Sequence, residues 1–159
     1  MRRLFIGQPG RHDLATGDLT PEGLLDAQDT AVRLVISGFE RLGGIVVTSF
    51  VSSASQTADI LQDRVGIFFR LADARIGVAG LFPARVDSLW GLAHTVLDDH
   101  GVEHWKSDVI VITHPELVGA VAGYEPSRSG VYHVGEDWHN PGFDAEQARL
   151  TGFPGPRSE

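Results

Sequence analysis

The chain has seven histidines and no cysteine, which excludes disulfides and thiolate chemistry and leaves imidazoles as the first groups to weigh. His114 directly follows the most apolar run of the sequence, residues 108–113, and so stands at the carboxyl end of a strand. Ligands of open α/β sheets bind at that end. There His114 serves either as a ligand-binding or acid–base group, or as a polar residue satisfied at a strand terminus. His12, in Arg11-His12-Asp13, follows another strand end, and a solvated loop histidine is its simplest reading. His94, His100 and His104 fall on or just after a helix near Asp98 and Asp99. Only the last two are spaced i, i+4, and Gly101 between them argues that the helix has ended, so all three read as surface residues. His133 and His139 lie near Glu136, Asp137 and Asp144, but without a recognised ligand spacing. The sequence therefore implies neither a metal nor a cofactor. Trp90 and Trp105 read as core or boundary aromatics.

The 159 residues, 42% hydrophobic and 21% charged, fit one soluble domain with a single core. No apolar run approaches the roughly 18 residues of a membrane span. Met1-Arg2-Arg3-Leu4-Phe5-Ile6-Gly7 is basic and then apolar, but Gly7-Gln8-Pro9 stops it short of a signal-peptide core, so it reads as a first strand. A cysteine-free composition fits the cytoplasm. Formal charge is -8, from 21 acidic and 13 basic residues. Such a field repels polyanions, so no nucleic-acid partner is expected. A phosphate site would need local arginines to overcome it.

Short β-branched runs alternate with helical stretches, which points to βαβ units and a largely parallel sheet. Strands are expected at residues 3–7, 45–48, 108–113 and, at an edge, 130–134. Thr20-Pro21-Glu22 opens a helix with a hydroxyl cap, proline at its first position and an early acid. Leu24, Gln28, Ala31, Leu34 and Val35 give that helix one stripe. Further helices are expected over 55–64, around Val86 to Leu97 and over 116–122. Residues 66–82 resist assignment, with 76–80 a weak strand candidate. The glycine, proline and polar content from Gly135 onward suggests a domain over 1–134 followed by an extended or partly disordered tail over 135–159.

The order of motifs resembles the histidine phosphatase (phosphoglycerate mutase-like) superfamily over residues 3–134. Leu4-Phe5-Ile6-Gly7-Gln8-Pro9-Gly10 followed by Leu19-Thr20-Pro21-Glu22-Gly23 is similar to the family's strand, Arg-His-Gly and Leu-Thr-x-x-Gly. Thr48-Ser49 and Ser53-Ala54-Ser55-Gln56-Thr57-Ala58 resemble its second motif, and the strand ending in Thr113-His114 its third. The resemblance implies a three-layer α/β sandwich with a mostly parallel central sheet flanked by helices.

It also implies where chemistry has gone. The family's histidine nucleophile falls on Pro9, and its two phosphate-holding arginines fall on Gln8 and Ser53. Proline has no nucleophilic side-chain atom, and Gln8 and Ser53 lack the charge that dominates phosphate binding. The family's acid has no persuasive counterpart, Asp87 being a weak one. His114 alone matches a catalytic position. Sliding the register to make His12 the nucleophile would put Pro9-Gly10 inside a central strand. The expectation is therefore a pocket lined by Gln8, Gly10, Arg11, His12, Ser53 and His114 that binds a small-molecule ligand or a protein partner without phosphatase turnover. The alternatives are different small-molecule chemistry using His114, or a phosphomonoesterase with a relocated His12 nucleophile. A homodimer is compatible with either.

Overall fold

In the computed structural model, which describes residues 2–77 and 82–151, five strands form one sheet among the described residues. They are β1 (Leu4–Gly7), β2 (Ile45–Thr48), β3 (Phe69–Ala72), β4 (Val109–Ile112) and β5 (Tyr132–Val134). Their order is β3-β2-β4-β1-β5, with β5 antiparallel to β1 and the other neighbours parallel. The central strands are apolar at successive positions because alternate residues feed two different cores. Leu4, Ile6, Ile45, Val47, Val109 and Val111 face one cluster. Phe5, Val46, Ile110 and Ile112 face the other. Each such fully buried aliphatic side chain contributes about 1.5–3 kcal/mol.

Helices α1 (Pro21–Ile36) and α2 (Ser52–Val65) cover the second cluster. Helices α4 (Leu89–Asp99) and α5 (Pro115–Ala122) cover the first. The sandwich is thus α/β with three layers. At the amino edge of the sheet, Asp108 is 1% exposed. It accepts from Arg3 Nε at 3.1 Å and Nη2 at 2.6 Å, and from the Glu40 N–H at 2.8 Å. Only such paired donors make a buried carboxylate tolerable.

Several expectations need correction. On α1, Leu24 and Val35 are exposed, and the buried face runs through Gly23, Asp26, Ala27, Thr30, Ala31 and Leu34. It includes a polar group at its start because the loop after β1 packs there. Helix α2 begins at Ser52, three residues earlier than the serine-rich start suggested. Strand β3 was not legible in sequence because it is a short edge element whose Phe69 is exposed. Ala74–Ile76 is a 3-10 turn, and the rest of the weak strand candidate, past Gly77, lies outside the described residues. His94 is buried, not superficial: its Nδ1 accepts from Trp105 Nε1 at 3.1 Å beside the Trp90–Trp105 stack.

The stretch beginning at Gly135 is folded as far as Thr151, and residues 152–159 lie outside the described ones. Asn140 is buried, its N–H donating to Asp87 O at 2.7 Å. The Asp144 N–H donates to Ala84 O at 2.6 Å and its carboxylate caps α6 (Ala145–Thr151), which packs on α3 (Phe82–Arg85). Polar composition misled because the segment is fastened by hydrogen bonds to backbone groups of α3 and its flank, with few apolar anchors.

The loop after β1 lies directly on the first turn of α1. A Cβ on Gly23 would sit 1.9 Å from Arg11 O, and one on Gly10 would sit 2.2 Å from Gly23 O. Both obstacles are backbone and cannot rotate away. Gly23→Ala is therefore expected to lower unfolding free energy by about 1–3 kcal/mol through overpacking, despite alanine's better helix propensity. Urea denaturation checks this, with Leu14→Ala, at a residue 94% exposed, expected to shift stability by less than about 0.5 kcal/mol. An unchanged midpoint for Gly23→Ala would mean that the loop moves freely off the helix.

Candidate functional site

Gly7 and Thr48 both pair with Ile112, so β1, β2 and β4 end at one level. The residues leaving those ends, Pro9-Gly10, Ser49 and Thr113-His114, line a cleft of about 370 Å³. His12 and Arg128 also line it, and its walls include Val51, Ser53, Ala54 and Ile76.

Four of the expected residues, Gly10, His12, Ser53 and His114, thus lie on one cleft, whereas Gln8 and Arg11 are engaged elsewhere. Gln8 is 4% exposed. Its Nε2 donates to Ser127 O at 3.1 Å and its Oε1 accepts from Arg128 Nη1 at 3.2 Å. It therefore holds the loop that precedes β5. Arg11 turns onto Asp26, donating from its backbone N at 3.0 Å, Nε at 2.9 Å and Nη2 at 3.1 Å. Burial pushes the Asp26 carboxyl up, but Arg11's hydrogen bonds and charge outweigh it and hold the group below the ordinary carboxylate range. Arg11 borders a neighbouring hollow of about 490 Å³, which shares His12 and Arg128 with the cleft.

Around the floor, Gly10 N–H donates to Thr57 Oγ1 at 3.1 Å, which ties the loop to α2. Ser53, on the first turn of α2, is 2% exposed. His114 is the half-buried residue at the N-cap of α5. His12 is exposed, and its backbone bridges to Leu19 across the loop. Asp87 lies away from the cleft against His139 Nδ1 at 3.1 Å.

Arg128 carries no signal in the sequence. Nothing in Ser127-Arg128-Ser129-Gly130 announces a site; only the antiparallel placement of β5 beside β1 brings that loop to the cleft. It is the arginine among the residues that line the cleft. Arg3, Arg11, Arg33, Arg64, Arg70 and Arg75 all pair with aspartates. No carboxylate among the described residues is within ion-pair distance of Arg128.

With a central parallel sheet, helices on both faces and an antiparallel edge strand after the fourth strand, the chain has the histidine phosphatase fold. Among solved structures it is similar to a mycobacterial glucosyl-3-phosphoglycerate phosphatase, with a TM-score of 0.57 and 15% identity over 87% of this chain and 93% of that one. The putative phosphohistidine phosphatase SixA from Agrobacterium tumefaciens gives 0.56 and 14% over 85% and 92%. The protein histidine phosphatase SixA solved with tungstate gives 0.51 and 18% over 87% and 96%. At such identities the likeness is one of fold. No family model and no curated protein matches the sequence. No helix among the described residues is long and apolar enough to cross a membrane.

One wall of the cleft depends on an ionic network. Asp73 accepts from Arg75 Nε at 2.9 Å and Nη2 at 2.7 Å and contacts His100 Nε2 at 3.1 Å, while its Oδ1 caps the turn carrying Ile76. Thr113 Oγ1 donates to Ile76 O at 2.9 Å from the other side. The Arg75 side-chain hydrogen bonds, opposed by burial and reinforced by the Arg75 N–H and His100, hold the Asp73 carboxyl down at about 2. A carboxylate depressed in this way stabilises fully above its unfolded value near 4, and that contribution is lost as pH falls through about 2. Asp73→Asn is expected to destabilise the protein at neutral pH, with the gap to the parent closing between about pH 4 and 2 in thermal unfolding. A gap constant over that window would assign the effect to packing instead of charge.

Proposed function

We propose that the chain is a ligand-binding protein built on the histidine phosphatase fold, with no phosphohistidine chemistry. The observation that carries this reading is Pro9, which lines the cleft beyond β1 where the family resemblance places the nucleophile. Its ring offers no lone pair to phosphorus, so the covalent intermediate has no atom on which to form. The surroundings agree. Ser53 is a neutral wall residue, and Gln8 is engaged with Ser127 and Arg128. A phosphoryl group carrying about 1.5 to 2 negative charges would meet one arginine inside a chain of net charge -8. A neutral or weakly anionic small molecule suits this cleft better.

A second reading is favoured by one observation: His12 and His114 border the same cleft. In it His12 is a relocated nucleophile and His114 the acid–base partner.

The two readings part on turnover. The binding reading expects no release of p-nitrophenol from its phosphate ester above the buffer rate and no acid-labile phosphoenzyme after rapid quench. Hydrolysis that is robust in the parent and abolished by His12→Ala would overturn it in favour of the relocated nucleophile.

A further inference from the structure

Arg128 is presented by a turn fastened on three sides. Gln8 Nε2 holds Ser127 O, and the Ser127 N–H donates to Tyr132 Oη at 3.2 Å. Ser129 Oγ donates to Asp29 Oδ2 on α1. Ser129 is itself buried, and the Tyr132 ring packs close against Gly130, where a Cβ would meet its hydroxyl at 2.4 Å. The guanidinium is used on one side only. Nη1 donates to Gln8 Oε1 at 3.2 Å and reaches Pro9 O at 3.5 Å. Nε and Nη2 donate to no group among the described residues. That free edge is the fork that matches the two oxygens of a carboxylate in parallel hydrogen bonds.

A second feature points into the same cleft. Ser53 is 2% exposed and lines it, and its Oγ has no hydrogen-bond partner among the described residues. The hydroxyl oxygen is not sealed in but open to the cleft, so a group bound there can supply its partner. The remaining wall is largely apolar, through Val51, Ala54, Ile76 and Ile112. At roughly 30 Å³ for a water-sized group, 370 Å³ accommodates on the order of a dozen heavy atoms.

We propose that the cleft binds a small monocarboxylate with a partly apolar body, its carboxylate paired with the Nε–Nη2 edge of Arg128 and its body lying between the apolar walls and Ser53. This rests on the binding reading above and names the ligand class. One arginine neutralises one carboxylate, whereas a phosphate monoester would keep close to one uncompensated charge in an acidic protein. Gln8, at a position where the resemblance implies an arginine, acts here as a positioning residue for Arg128.

Hexanoate, hexyl phosphate and 1-hexanol separate the possibilities, titrated into the full chain at millimolar concentration with amide chemical shifts as readout. Hexanoate is expected to perturb residues around Gly10, Ser53 and His114 saturably and to bind at least tenfold more tightly than either analogue. Arg128→Gln should weaken hexanoate at least tenfold while leaving hexanol unchanged, and Arg128→Lys should recover part of the loss. Gln8→Leu should weaken hexanoate with Arg128 still present, and far-ultraviolet circular dichroism verifies the fold of each variant. Equal affinity for hexanol, tighter binding of hexyl phosphate, or no binding of hexanoate would each overturn the proposal. Phosphate release measured in the hexyl phosphate samples keeps the two ideas apart, because turnover would sink the binding reading, whereas tight binding without turnover would sink only the carboxylate.

Discussion

The register of β4 between β1 and β2 is the constraint on which the rest depends. Ile112 pairs with Gly7 on one side and Thr48 on the other, so three chain segments leave the sheet at one height. Side chains from segments far apart in sequence then share a cleft without any long loop having to reach for it. A one-residue slip in either pairing would also swap the residues that face the two cores and break the packing of both. The double burial of the central strands thus fixes the height of the site as well as the stability of the sheet.

Close backbone contacts convert that common height into a shaped cleft. Gly10 and Gly23 let the loop after β1 lie on α1 at a distance no side chain would permit, and Gly77 does the same beside Ser49, where a Cβ would come within 2.1 Å of the Ser49 Cβ. The Leu19-to-Gly23 segment, which in sequence resembles a family motif, is explained here by packing alone. Thr20 caps the helix through the Gly23 N–H at 3.0 Å, and Gly23 admits the Arg11 carbonyl. Asp26 then fixes Arg11, so an arginine that reads in sequence as a ligand contact is a strut.

The fold was legible because its strands are short, apolar and bounded by turn residues, and because three strand-end segments occur in the order the fold requires. His114 and Ser53 could be placed for the same reason: each follows its strand by a fixed short interval. Arg128 was not legible, since its contribution arises from β5 lying antiparallel against β1, a pairing between opposite ends of the folded chain. His94, and Asn140 within the polar stretch after Gly135, escape a reading of the sequence for a related reason. A polar residue in a helix or a polar segment is ordinarily solvated, and only the three-dimensional neighbours, Trp105 Nε1 for one and the α3 flank for the other, reveal a buried acceptor or donor.

The electrostatics of the cleft follow from where charge is neutralised. Most arginines that stand near an aspartate form ion pairs, which in so acidic a chain is the expected outcome. Arg128 escapes because its nearest hydrogen-bond partners, the Gln8 side chain and the Pro9 carbonyl, are neutral acceptors. A neutral partner orients the guanidinium without forming an ion pair with it, although its charge still reaches the Asp26 carboxylate through space and helps hold that group down. Had a carboxylate stood at position 8, it would have paired with Arg128 and removed the positive charge from the mouth. Had an arginine stood there, two like charges would have faced each other at close range and pushed the turn outward. Glutamine is the side chain of that length that can accept from Arg128 and donate to Ser127 O at once, which couples the residue at the end of β1 to the charge presented from the loop before β5.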